Sequence, residues 1–280
     1  MPDAAAALAR IQPHGFLVGL TPDWRIMRAS ANIGDHLTNA KASPIGRPLA
    51  DILGSAAVHT LRNRMALLRN PEGSARQFAL HTTGSTRLID VVMHMVGDET
   101  IVEAQASTGQ ESGDPIGLVR ELACRLDGQD KLDSMLQEGA RQLRALTGFD
   151  SVSLYRWNVA GTADLAAHCA RGDLDPGPLP ETGRLRLIVD ASASGIAVDP
   201  EPNASVLDRC LLQMPGAADC DAMGPAASLV RLPLKAIGAE WGVAVCLNAL
   251  PRQFGLERFA AAELFSDLLA LRIALLEQRA

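Results

Sequence analysis

Between Ser107 and Pro115 the chain reads Ser-Thr-Gly-Gln-Glu-Ser-Gly-Asp-Pro, nine residues without a side chain that a core would need. A small, polar, glycine-bearing stretch of this kind has little to bury. It divides the 280 residues into two lengths, each long enough to close a core of its own. The expected organisation is one domain over 11–107 and a second over 116–280, joined by a short linker.

In the first length, Phe16–Leu20 is an apolar strand, Thr21-Pro-Asp-Trp24 a turn, and Arg25–Arg28 the returning strand of a hairpin. Short helical patterns cover Ala29–Asn39 and the segment that begins at Gly46. Ala56–Leu68 is a clearer helix, closed near Asn70-Pro71. Strands are expected at Arg76–His81, Arg87–Met95 and Glu99–Ala106, separated by Gly84 and Gly97-Asp98.

The second length opens with helices over Ile116–Leu126 and Lys131–Thr147. In the latter, Leu132, Met135, Leu136, Ala140, Leu143 and Leu146 recur at helical spacing, and Gly148 supplies the stop. Strands are expected at Ser151–Trp157, Asp164–His168, Arg184–Asp190, Ala227–Pro233 and Glu240–Asn248, and a short helix at Leu207–Leu212. The final helix, Leu256–Gln278, carries Phe259, Leu264, Leu268, Leu271 and Leu275, and is apolar on more than one face. Two readings stay open for its last turns: a broad stripe that closes the domain's own core, or a seam for a second copy of the chain.

Charge and motif content exclude several functions. The 26 basic and 32 acidic residues leave a net charge of −6 with no basic stripe, which argues against a sequence-independent grip on nucleic acid. The start, MPDAAAALAR, lacks the basic and apolar parts of a signal peptide, and no apolar run approaches the ~20 residues of a spanning helix, so the expected compartment is the cytoplasm, with no membrane partner. Cys124, Cys169, Cys210, Cys220 and Cys246 form an odd set without C-x-x-C spacing, which indicates reduced thiols and no metal site. Phosphate-loop, zinc-protease, nucleophile-elbow and dinucleotide motifs are missing, so no catalytic residue is assigned and the chain is not expected to be an enzyme.

Four stretches carry a resemblance: IQPHG at 11–15, GFDSVSLYRW at 148–157, RLRLIVD at 184–190, and ASLVRLPLKAIGAEWGVAVC at 227–246. Together they resemble the photosensory module of phytochromes, from Ile11 to about Leu276. The resemblance implies an α+β fold, a PAS domain over 11–107 followed by a GAF domain over 116–280 that ends in a long helix. It also implies a sensory and signalling role and a bilin chromophore. In the family a segment with a D-I-P motif wraps the bilin before RLRLIVD. Here only Asp173–Gly183 stands there, so the GAF domain is shortened before residue 184. With that segment short, and with ten residues before Ile11, the chain is expected to be unknotted or only loosely crossed.

Mapped onto this sequence, the family's bilin contacts are kept in part. Tyr155 matches a tyrosine near ring D, Met223-Gly224 keeps the end of a Y-x-x-N-M-G pattern, and Arg209 is a guanidinium suited to a propionate. Tyr155, Arg209 and Met223 are therefore the cofactor-binding candidates. Against them, Asp219 stands at the tyrosine of that pattern and Ala222 at its asparagine. The family's C-H-H site reads Cys246-Leu247-Asn248, and no histidine follows Cys169. Residues Met1–Arg10 contain no cysteine for the thioether that bacterial members form. The expectation is a phytochrome-like signalling protein with lost or altered bilin binding, acting through protein contacts. It would have no cofactor, a homodimer through the last helix and a signalling partner not named by the sequence. The alternatives are a red/far-red photoreceptor holding biliverdin or another linear tetrapyrrole, and a GAF sensor of another planar ligand such as haem.

Overall fold

The computed structural model describes residues 10–70, 72–108, 114–172 and 174–279. The centre of the expected linker and Asp173 lie outside the described residues. In chain order the strands are β1 (Arg10–Ile11), β2 (Gly15–Leu20), β3 (Ile26–Ser30), β4 (Ala75–Leu80), β5 (Ile89–Val96), β6 (Glu99–Ala106), β7 (Ser151–Trp157), β8 (Ala163–Ala170), β9 (Arg186–Ile188), β10 (Ile196–Asp199), β11 (Ser228–Ala236) and β12 (Ala239–Asn248). They belong to two compact units. The first gathers the described residues before 111 with 192–216, and the second gathers those of 111–191 and 217–280. The sequence boundary had assigned 192–216 to the second domain; in space this excursion packs with the first.

The first unit is one sheet in the order β1-β10-β3-β2-β6-β5-β4. Side chains alternate across a strand, so Phe16, Val18 and Leu20 face a core with Val91, Met93 and Val102, closed by Ala57, Val58 and Leu61 of the helix Ser55–Ala66. Leu17 and Ile101 point to the other face, which Val198, Val206, Leu207, Cys210 and Leu212 of the excursion cover. Burial on both faces is why β2 is apolar throughout.

The excursion also corrects one expectation. Its helix is Ala204–Leu207 rather than Leu207–Leu212. The Arg209 guanidinium that follows donates to the carbonyls of Met95, Glu72 and Gly73. The chain path, expected to be unknotted or only loosely crossed, does cross itself here. β1 pairs with β10 on one side, Arg10 with Ala197 and Ile11 with Ile196. On the other side Gln12 N–H donates to Leu212 O at 2.7 Å and Met214 N–H to Arg10 O at 3.0 Å. Arg10–Gln12 thus runs between the two arms of 192–216, and the Gln12 amide adds bonds to Leu211 O and Gln213 O. The backbone groups of Ile11 and Gln12 are buried there, and these bonds satisfy them in place of water.

The second unit is a five-stranded antiparallel sheet, β8-β7-β12-β11-β9. The helices Leu132–Thr147 and Leu256–Glu277 cover one face. Gly139 lets them approach, since a Cβ there would sit 2.7 Å from the Leu269 methyls. As the sequence indicated, Gly148 ends its helix in the left-handed region, φ 69°, its N–H on Arg144 O. The opposite face carries Tyr155, Ile188, Leu229, Val243, Val245 and Leu247. RLRLIVD pairs only over Arg186–Ile188, because Val189 O accepts from Ser228 Oγ and Arg252 N–H and turns the chain off the sheet edge. No helix among the described residues is long and apolar enough to cross a membrane.

Candidate functional site

The short segment from Leu174 to Gly183 lies as a strap on the open face of the second unit's sheet, held by two strand residues. The ring of His168 on β8 contacts Leu174 O through Nε2 at 2.7 Å and Ser153 Oγ through Nδ1 at 2.9 Å. A carbonyl only accepts, so Nε2 carries the proton and the serine hydroxyl donates to Nδ1. Tyr155 on β7 donates its hydroxyl to Gly177 O at 2.9 Å. Burial pushes the phenol above its ordinary pKa, against a smaller lowering by Ser153. Gly177 has to be bare at this point: a Cβ there would lie 2.6 Å from a Leu247 methyl.

Between the strap and the sheet is a cavity of about 480 Å³. Its apolar walls are Leu174, Pro176, Pro178, Met223, Pro225 and Leu247. Its polar lining comes from Asp150, Ser151, Asp175 and Asn248, and none of the lining residues is basic. Asp150 accepts from Ala249 N–H at 3.0 Å. Asn248 donates Nδ2 to Leu250 O at 2.9 Å, which leaves its buried Oδ1 without a protein donor.

Beside this face stands a charged group that the sequence did not announce. Arg186 and Arg231 are direct partners across β9 and β11, an arrangement in which like charges repel. The Asp219 carboxylate resolves it, with one oxygen 2.9 Å from each guanidinium. The Arg186 and Arg231 side chains are only 1% and 3% exposed, and burial pulls both guanidinium pKas down while Asp219 opposes the pull. The helix Ala217–Met223 is thereby fastened to the sheet.

Of the three residues named from sequence, the structure brings Tyr155 and Met223 into one apolar cluster. Arg209 belongs to the other unit, with its guanidinium on three backbone carbonyls there. Asp219, Arg186 and Asn248 were missed as working parts. The available signal was an arginine inside an otherwise apolar strand, in RLRLI and again in LVRLP. Among the thiols, Cys246 is fully buried and pushed up to about 12 by that burial; burial first and then Asp219 and Asp221 raise Cys220. Among the described residues no group of three or more His, Cys, Asp or Glu could hold a metal ion.

Two family models match the chain, and the second runs through the 192–216 excursion that packs with the first unit. Residues 6–106 match the family model for the PAS fold, and residues 131–273 match that for the GAF domain. The phytochrome-like protein Cph1 of Synechocystis is 26% identical over 286 residues, covering 91% of this chain and 38% of that protein. The bacteriophytochrome of Pseudomonas aeruginosa is 24% identical over 297 residues, covering 96% and 39%. The chain thus spans about two-fifths of the length of these relatives. Among solved structures, the chromophore-binding domain of the unusual bacteriophytochrome RpBphP3 from R. palustris superposes with a TM-score of 0.82 at 21% identity, covering 100% of this chain and 99% of that one. The chromophore-binding domain of Stigmatella aurantiaca phytochrome P1 gives 0.79 at 21% identity, covering 96% and 97%. At that identity the likeness shows the fold.

Proposed function

The chain belongs to the phytochrome family as a PAS–GAF photosensory module, and from that premise we propose that its GAF domain forms no covalent bilin adduct and signals through protein contacts. The observation that carries the reading is the strap. The phenol that the resemblance sets beside a chromophore, Tyr155, is buried and donates to the chain's own Gly177 O. Charge and thiol chemistry support it. A bilin brings two propionates, and the cavity under the strap has carboxylates and no basic side chain in its lining. Addition to a vinyl group needs a thiolate, and that form is disfavoured by burial at Cys246 and by partial burial with Asp219 and Asp221 at Cys220.

The contacts fall to the last helix. Leu264, Leu271 and Leu275 are 41%, 44% and 45% exposed, at intervals of seven and four residues, while Phe259, Phe265, Leu269 and Ile273 fill the unit's own core. Intervals of seven and four are those of a helix–helix seam, so the proposed first partner is a second copy of the chain.

The test is to add biliverdin to purified protein, record red and far-red absorbance, and look for zinc fluorescence on a denaturing gel. The expected spectrum is that of free biliverdin, with no fluorescent band. The second reading is a bilin photoreceptor, favoured by the likeness to two chromophore-binding domains over nearly the whole chain. A red band that changes under illumination would establish it.

A further inference from the structure

We propose that the cavity under the strap is a binding site for a small organic amine, a molecule with an apolar body and a cationic or neutral N–H donor, and that it excludes anions. The inference rests on the reading above, in which no bilin fills this face.

Three observations converge. The walls are apolar, and at about 480 Å³ the cavity is in the range of small-molecule pockets. The side-chain groups placed to fix a ligand's polar end are largely acceptors. Asp150 spends one oxygen on Ala249 N–H, and a carboxylate offers about four lone-pair sites in all, so acceptor capacity remains. Asp175 adds a second negative charge on the strap side. Asn248 is 7% exposed, its Nδ2 is tied to Leu250 O and its Oδ1 is closed off from solvent, so it brings no donor for an anion. An amine complements the two carboxylates, whereas a carboxylate or phosphate would meet two like charges and no basic lining residue. The wall is also set in advance, because His168 and Tyr155 hold the strap at Leu174 and Gly177, so a ligand need not order it.

The experiment uses the full chain and two probes of similar shape and opposite charge, phenethylamine and 3-phenylpropionate, followed by amide NMR shifts. Phenethylamine is expected to saturate, with shifts at Leu174, Gly177, Asn248 and Ala249, and 3-phenylpropionate to leave these amides unmoved. Asp150→Asn keeps an acceptor for Ala249 N–H but removes the charge, and should weaken the amine by about tenfold, one step of ~1.4 kcal/mol. Ala226→Phe, which fills the cavity from its wall, should abolish the shifts. Equal binding of both probes, or saturation by neither at millimolar concentration, would overturn the proposal, and that comparison needs no variant to fold. A parallel titration with biliverdin keeps the two readings apart. If neither biliverdin nor the amine binds, only the amine site is lost; if biliverdin binds with a red band, the bilin-free reading is lost as well.

Discussion

At Asp219 one carboxylate answers two guanidiniums, and a neutral side chain could not. Arg186 and Arg231 face each other across β9 and β11, so removing the charge between them leaves two buried cations opposed. Asp219→Asn is expected to lower stability by about 3–5 kcal/mol, the usual cost of breaking a buried pair from one side. Urea denaturation followed by tryptophan fluorescence reads this, and a loss under ~1 kcal/mol would show that other groups neutralise the arginines. Tyr155 and Met223 were legible as candidates because the motifs around them survive. Arg186 was not: alternation along RLRLIVD sets it with Arg184 on the polar face, and only the approach of a helix from elsewhere in the chain makes that face an interior.

Among the elements, the strands and long helices were the legible part. β6 and β7 fall where the alternation sets them, and the helix Leu132–Thr147 stops at the glycine that sequence marked. Gly242 has a steric reason for surviving beside Trp241, since a Cβ there would lie 1.9 Å from Tyr155 O. The last helix was ambiguous in sequence because both its faces are apolar. Packing separates them, burying Phe259, Phe265, Leu269 and Ile273 and leaving Leu264, Leu271 and Leu275 half exposed. If that outer row is the seam for a second copy, the paired substitution Leu271→Glu with Leu275→Glu should turn a dimer into a monomer in sedimentation equilibrium without loss of helical circular dichroism. A parent chain that sediments as a monomer at all concentrations would remove the seam.

For the molecule as a whole, acid stability should be set by the first unit. His14 and His94 are both pushed down to about 4. Burial is the larger cause for each, followed by His36 for His14 and by Arg209 for His94. His36 is lowered too, again mainly by burial. A lowered histidine pKa means that the unfolded chain binds more protons than the folded one between about 4 and 6.5. Stability is therefore full above pH 6.5, falls as pH drops through that window, and levels off below it. The expected loss for the pair is on the order of a few kcal/mol, read as a falling urea midpoint from pH 7 to pH 4.5. His94→Gln should flatten the slope; a midpoint constant over that range would refute the assignment. By itself the sequence determined the number of folding units, the class of each and most of their strands, because those follow from local periodicity and from punctuation such as Gly148 and the 107–115 break. Tertiary structure alone decided that 192–216 packs with the first unit around Arg10–Gln12, that Arg186 is interior, and that the strap at Gly177 takes the hydrogen bond of Tyr155. Each of these depends on partners between 22 and about 200 positions apart, and no local pattern encodes which distant backbone group will satisfy a buried donor.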